Sequence, residues 1–142
     1  MLWLMAMMLT GQAIDNLPAD CSQAMTTPEI NACAALDLRR EEQRMEEYLQ
    51  AAYRRAADSG TQEAAWLRAS QSAWKAYADI ACGAVYEQWS DGTIRGVMYL
   101  GCMVNLTRER THVVWRGFLT YPDSTPPVLP EPRRPLSESP AR

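Results

Sequence analysis

The stretch LRASQSAWKAYADIAC, residues 67–82, decides the fold, because it places Gln71, Trp74 and Tyr77 at intervals of three residues. Side chains at this spacing share one face of an α-helix. We therefore predict a helix over about residues 62–81, in which Trp74 anchors the core. The predicted buried stripe of this helix consists of Trp66, Leu67, Ser70, Trp74, Tyr77 and Ala81.

Two further helices are predicted on either side of this stretch. The first begins at Thr27 as the capping residue, with Pro28 in its first turn and Glu29 near the positive end of its dipole. It ends at the turn signal over residues 58–61, and the third helix covers about residues 94–119. The predicted buried stripes are Met45, Tyr48, Leu49, Ala52, Tyr53 and Ala56 in the first helix, and Ile94, Val97, Met98, Cys102, Leu106, Val113 and Phe118 in the third. The first helix is predicted to expose Arg39, Arg40, Glu41, Glu42, Arg44, Glu46 and Glu47.

The predicted fold class is all-α. No segment alternates apolar and polar residues over a strand length, so we expect little or no sheet. Short connections between long helices make neighbouring helices antiparallel. The sequence therefore predicts a small antiparallel three-helix domain stapled by two disulfides, with a disordered proline-rich tail.

Composition limits the classes of function. The chain has 142 residues, 47% of them hydrophobic and 22% charged, which is enough for one domain with a core. Its net charge of −3 argues against a nucleic-acid partner, which requires a basic face. A single histidine excludes any mechanism that needs two.

The first thirteen residues are predicted to be a signal peptide. Residues 1–9 read MLWLMAMML, an apolar run too short to span a bilayer, and TGQA at 10–13 has the small-x-small pattern of a cleavage site. The alternative is a buried apolar segment. Cleavage after Ala13 would deliver a periplasmic or secreted chain with no membrane span.

The other end of the chain is predicted to be a tail. Residues 122–142 contain seven prolines and few apolar side chains, which is typical of an extended, disordered segment. The predicted helical domain therefore covers residues 14–121.

Four cysteines lie at Cys21, Cys33, Cys82 and Cys102, and no C-x-x-C occurs. Three pairings are open, and unpaired structural thiols are the alternative. We favour Cys21–Cys33 and Cys82–Cys102. The first bond would attach the segment before the first helix to that helix, and the second would close the loop between the second and third helices. On the chain-entropy estimate each bond would contribute about 3 kcal/mol.

Several of these residues together resemble the LprI-like family of small secreted bacterial domains. The first matching segment is Asp20-Cys21 with Thr27-Pro28-Glu29-Ile30-Asn31-Ala32-Cys33. The others are Leu67-x3-Gln71-x2-Trp74-x2-Tyr77-x-Asp79-x2-Cys82 and Cys102-x3-Leu106-Thr107-x2-Arg110. The resemblance covers about residues 21–119.

The resemblance implies a disulfide-stapled helical domain that binds protein and has no catalytic role. The family takes its name from a mycobacterial cell-envelope lipoprotein that inhibits lysozyme. Read physically, its motif is chiefly structural: Gln71 would bond to neighbouring backbone or to Tyr53, and Asp79 would pair with Arg110. A ligand site is the alternative for the same residues. The motif positions are Gln71, Trp74, Tyr77, Asp79, Thr107 and Arg110.

No catalytic constellation is present in the sequence. It lacks G-x-S-x-G, the P-loop, H-E-x-x-H and G-x-G-x-x-G, so we predict no enzyme, no cofactor and no metal. A pair of carboxylates acting as an envelope hydrolase remains an alternative. His112 is predicted to lie on the surface, and Arg108, Arg110 and Arg116 on a solvated face with one buried pair.

The predicted function is a secreted or periplasmic binding protein that inhibits lysozyme or a related wall hydrolase. The alternative is an envelope interaction or stress protein with another protein partner. The preferred contact region is the loop with Tyr86, Trp89, Asp91 and Arg95, because aromatic and Arg anchors on a tethered loop suit a cleft. The alternative is that this segment only connects two helices and that Trp89 packs inward.

Overall fold

A computed structural model describes residues 20–134. Three helices make up most of this part of the chain: α1 (Thr27–Asp58), α2 (Glu63–Gln88) and α3 (Arg95–Phe118), with a 3₁₀ turn (Cys21–Gln23) before them. Residues 20–134 contain no strand, so the predicted all-α, three-helix class is confirmed. Across these residues, no helix combines the length and apolar character needed to cross a bilayer. The predicted signal peptide lies outside the described residues.

The start of α1 lies one residue earlier than predicted. Thr26, not Thr27, is the capping residue: its hydroxyl oxygen accepts from the Glu29 backbone N–H at 3.4 Å. The Glu29 carboxylate accepts in return from the Thr26 N–H at 3.0 Å, which completes a capping box. The end of α1 falls at the predicted turn, where Gly60 takes a φ of +66°.

Helix α2 is longer than predicted. It continues past Ala81 through Cys82 and Tyr86 to Gln88, because the single Gly83 is tolerated within the helix and the turn signal comes only at Ser90–Gly92. The connection to α3 is therefore shorter than the predicted loop and comprises residues 89–94.

The predicted buried stripe of α2 is wrong at Trp66, Ser70 and Tyr77, all of which are exposed. Trp66 is 74% exposed and Tyr77 is 59% exposed, whereas Leu67, Ala78 and Cys82 are buried. This helix carries apolar residues around most of its circumference, so periodicity alone could not identify the inward face. Two members of the α3 stripe, Ile94 and Val113, are likewise exposed.

Helix α3 is the centre of the domain. It packs extensively on α1 and on α2, whereas α1 and α2 meet over a short stretch. One core cluster joins α1 to α3 and includes Leu49, Val114 and Leu119. A smaller cluster of Ala78, Cys82 and Met103 joins α2 to α3. Trp74 is half-buried and packs against both clusters, which confirms it as a core contact.

Both preferred disulfide pairings are confirmed. Cys21–Cys33 attaches the 3₁₀ turn to α1, and Cys82–Cys102 joins α2 directly to α3 with a Cα–Cα distance of 5.6 Å. Because α2 extends beyond Cys82, the second bond fixes one helix against another at the closed end of the α2–α3 hairpin.

The first part of the proline-rich tail is held against the helices. Residues 122–134 have no helix or strand, as predicted, but Leu129 packs against the α1–α3 core. The Trp115 indole N–H donates to the Leu129 carbonyl at 2.9 Å, and the Tyr48 hydroxyl donates to the Pro130 carbonyl at 2.8 Å. The prediction of disorder is thus corrected for residues 122–134, because two buried donors and an apolar site hold them in place.

His112 is part of the same attachment and is buried, contrary to the prediction of a surface residue. Arg116 Nη2 lies 3.2 Å from its Nδ1, and its Nε2 lies 3.1 Å from Glu131 Oε1. This hydrogen bond lowers the pKa of the Glu131 carboxyl. The histidine therefore links α3 to the tail.

We predict that Leu129→Ala lowers the free energy of unfolding by about 1–2 kcal/mol, because a partly buried leucine leaves the core. The matched control is Val128→Ala, at a neighbouring side chain that is 44% exposed, and it should change stability by less than about 0.5 kcal/mol. Urea denaturation of both variants measures the difference. Equal effects would show that the tail is not anchored through Leu129.

Candidate functional site

An open groove with a volume of about 540 Å³ runs between α1 and α2, and we call it the α1–α2 groove. It exists because both helices pack on α3 and leave space between them along residues 38–46 and 71–79. The residues that line it are Leu38, Glu42, Met45 and Glu46 of α1, Gln71, Trp74, Lys75 and Asp79 of α2, and Tyr99 and Met103 of α3.

The floor of the groove is apolar and adaptable. Met45 and Met103 are each more than nine-tenths buried, and half-buried Trp74 lies between the two core clusters. Methionine side chains are flexible and polarisable, so they fit surfaces of different shape. The floor therefore suits an apolar or long aliphatic side chain of a partner.

The rim of the groove is acidic. Glu42, Glu46 and Asp79 contribute three carboxylates and Lys75 one ammonium, which leaves a net charge of about −2. Within residues 20–134, Glu42, Lys75 and Asp79 make no ion pair and no side-chain hydrogen bond, and Glu46 accepts only from Gln50. Unpaired charges around an apolar floor favour a cationic group with an aliphatic stem, as in lysine or arginine.

Arg110 connects α3 to α2 beside the groove, with partners other than the predicted Asp79. Its Nε donates to the Gln71 side-chain carbonyl and its guanidinium to the Ser70 hydroxyl, each at 2.8 Å. The Gln71 side-chain amide in turn donates to the Met45 sulfur at 3.7 Å. Gln71 thus bonds to Met45 and Arg110 in place of Tyr53, and Arg110 bonds to Ser70 and Gln71 in place of Asp79. Burial lowers the pKa of the Arg110 guanidinium.

The residues that carry the family motif divide between the groove and other places. Gln71, Trp74 and Asp79 line the groove. Tyr77 is exposed on another face of α2, and Thr107 is fully buried in α3. Three of the six motif residues thus line the α1–α2 groove.

The predicted contact loop is shorter than expected, because two of its residues belong to helices. Tyr86 lies in α2, and its ring holds the Arg95 guanidinium at 5.0 Å, while Arg95 also donates to the Ser90 carbonyl at 3.4 Å. Trp89 is 38% exposed and Asp91 is exposed, so neither is packed fully inward. The structure brings these four side chains to one end of the domain. They are Tyr86, Trp89, Asp91 and Arg95.

Tyr99 connects this end of the domain to the groove. Its ring lines the groove and meets the Tyr86 ring edge-on at a centroid distance of 6.3 Å. A partner that covers the groove can therefore also reach the loop.

A buried ion cluster lies beside the groove, on the neighbouring face of the same turns of α1. Glu41 is only 2% exposed, contrary to the prediction, and its carboxylate lies 3.1 Å from Arg108 Nε and 3.7 Å from Arg133 of the tail. Asp37 pairs with the other side of Arg108 at 3.1 Å. Contrary to the prediction of a solvated face, Arg108 is therefore buried between these two carboxylates. This pairing also means that Glu41 adds little to the surface charge.

The sequence held a signal for the residues that were missed. Glu41 lies four residues before Met45 and so continues the buried stripe of α1. Glu42 and Glu46 share a face at i, i+4, as do Lys75 and Asp79 on α2. Only the packing of both helices on α3 shows that these two faces meet.

No cluster of His, Cys, Asp or Glu suited to a metal ion occurs between residues 20 and 134. The groove has an apolar floor and a charged rim, and Trp89 is exposed at the end of the domain next to it. The arrangement defines a small disulfide-stapled helical domain.

Residues 19–113 match the family model described as "Lysozyme inhibitor LprI", and the chain belongs to this family. The predicted resemblance is thereby confirmed. This is an inhibitor family of the extracellular or periplasmic space, and the two disulfides fit an oxidising compartment. Comparison with curated proteins and with solved structures gave no match.

We predict that Glu41→Gln lowers the free energy of unfolding by about 2–4 kcal/mol, because it leaves Arg108 buried with one carboxylate fewer. Glu42→Gln is the matched control on the adjacent residue, and it should change stability by less than about 0.5 kcal/mol. Thermal unfolding followed by circular dichroism makes the comparison. A Glu41 variant as stable as the parent would show that the cluster is dispensable.

Proposed function

We propose that this protein inhibits lysozyme or a related cell-wall hydrolase after export to the periplasm or the cell exterior. The observation that carries the proposal is the match of residues 19–113 to a lysozyme-inhibitor family. Inhibition here means occupation of the hydrolase surface by a rigid domain, with no chemical step on the inhibitor.

Charge supports a basic partner. The chain has a net charge of −3, and the rim of the α1–α2 groove concentrates unpaired carboxylates. C-type lysozymes are strongly basic, so the two proteins attract each other before contact. The groove would then receive a lysine or arginine side chain, its stem on Met45 and Trp74 and its charge between Glu42 and Asp79.

The loop at residues 89–94 is the second contact in this proposal. A lysozyme cleft contains two catalytic carboxyl groups. Arg95, the first residue of α3, is the cation next to this loop that could reach them, and Trp89 is the exposed apolar group of the loop. Because Arg95 already contacts Tyr86 and Ser90, it would have to leave these contacts to enter a cleft. The groove, whose carboxylates need no such release, is therefore the principal contact.

The test measures inhibition of lysozymes by the purified protein and by a groove variant, Glu42→Gln with Asp79→Asn. We expect the variant to bind at least about tenfold more weakly, since two charge contacts at the rim are lost. The matched control removes the same charge at the α1–α2 turn, with Asp58→Asn and Glu63→Gln. Both of these residues are exposed and lie outside the groove. The control should bind within about twofold of the parent.

Two further variants test the loop in the same assay. Trp89→Ala and Arg95→Ala should speed dissociation if the loop enters the cleft, whereas added salt should mainly slow association.

Unchanged inhibition by both loop variants would remove the loop from the mechanism. Equal losses in the groove variant and its control would remove the groove. No inhibition of any lysozyme by the parent protein would contradict the function itself, and cleavage of peptidoglycan by the protein alone would indicate a hydrolase.

A further inference from the structure

Helix α2 has an exposed apolar face that the groove does not use. Trp66, Tyr77 and Ile80 are 74%, 59% and 75% exposed, although a large apolar side chain is stabilised by burial. On a helix of 3.6 residues per turn these three side chains fall within about 60° of one another. The small residues Ala69, Ala73 and Ala84 lie between and beyond them, and all are exposed. We call this row of six residues the outer stripe of α2.

Charge is absent from the outer stripe. Between residues 64 and 86 the only charged side chains are Arg68, Lys75 and Asp79. All three project from the opposite side of the helix, where Arg68 lies over the Tyr53 ring of α1 at 4.3 Å and the other two line the groove. An uncharged strip about 27 Å long therefore faces outward. Contiguous apolar surface of this extent marks a protein interface.

We propose that the outer stripe is the interface of a two-fold symmetric dimer of this chain, in which two α2 helices pack antiparallel. The proposal is independent of lysozyme inhibition. A two-fold axis at Ala73 places each residue opposite the one equally far on the other side of Ala73 in the second copy. Tyr77 then meets Ala69 of the second copy, and Trp66 meets its Ile80.

The order of large and small residues fits this pairing. Alanine at the centre allows the two helices to approach closely, and Trp66 and Ile80 lie about two turns from the axis, where crossed helices diverge. Each Tyr77 ring finds the space left by an alanine on the second copy. A sequence with its large residues in the middle would hold the helices apart.

The surface area that this contact would bury also matches that of a dimer interface. Covering the three large side chains and the small residues between them would bury roughly 600–800 Å² per chain, close to the 800 Å² per partner of a typical stable interface. The groove lies on the other side of α2, so a dimer built in this way leaves both grooves open.

The experiment measures the mass of the purified protein by sedimentation at increasing concentration. We expect a dimer with a micromolar dissociation constant, and Ala73→Arg should raise that constant by at least about 100-fold, because it buries two like charges on the axis. Ala57→Arg on α1 is the matched control: it makes the same change at another exposed helical position and should leave the constant within about twofold. Circular dichroism verifies that both variants fold.

A positive test uses cysteine. Ala73→Cys should form a disulfide-linked dimer without reductant, because the axis brings the two Cβ atoms together. Ala57→Cys should not form this dimer.

A monomeric parent protein at all concentrations would overturn the proposal, as would dimerisation of Ala73→Arg with the same dissociation constant as the parent. Loss of hydrolase inhibition in Ala73→Arg from a monomeric parent would assign the outer stripe to the hydrolase instead, which also overturns it.

Discussion

The contact between α2 and α3 determines how the rest of the molecule is arranged. Helix α2 touches α1 over a short stretch, so its position depends on α3 and on the Cys82–Cys102 bond that fixes one end of the pair. Arg110 bonds to Ser70 and Gln71 near the other end. Held at both ends, α2 stands away from α1, and the space between them becomes the α1–α2 groove. The same arrangement turns its uncharged face outward.

The sequence predicted the number of helices and both disulfides, because these depend on local signals. Capping residues, turn residues and cysteine positions act over short distances along the chain. The inward face of α2 was not predictable in the same way. Leu67 and Ala78 pack into the two core clusters, while Trp66 and Tyr77 are left outside although they are larger. Burial in this helix follows the position of its neighbour and not the size of its side chains.

Charged residues in the core were missed for a related reason. Glu41 and Arg108 lie on the buried stripes of their helices, and each is tolerated there because the other neutralises it at 3.1 Å. A single-sequence pattern assigns both to solvent, since it contains no information about partners on another helix. The tail was misjudged in part for the same reason: its attachment depends on donors at Tyr48 and Trp115 that lie far away along the chain.

The cysteines pair in consecutive order, and this bears on how the chain matures. Cys21 bonds to Cys33 across 12 residues, and Cys82 to Cys102 across 20, so each closed loop is short and neither encloses the other. A chain whose cysteines are oxidised in sequence order meets its correct partners first. Closure of short loops also costs little entropy. Native pairing in this protein therefore requires no reshuffling of earlier bonds by thiol exchange.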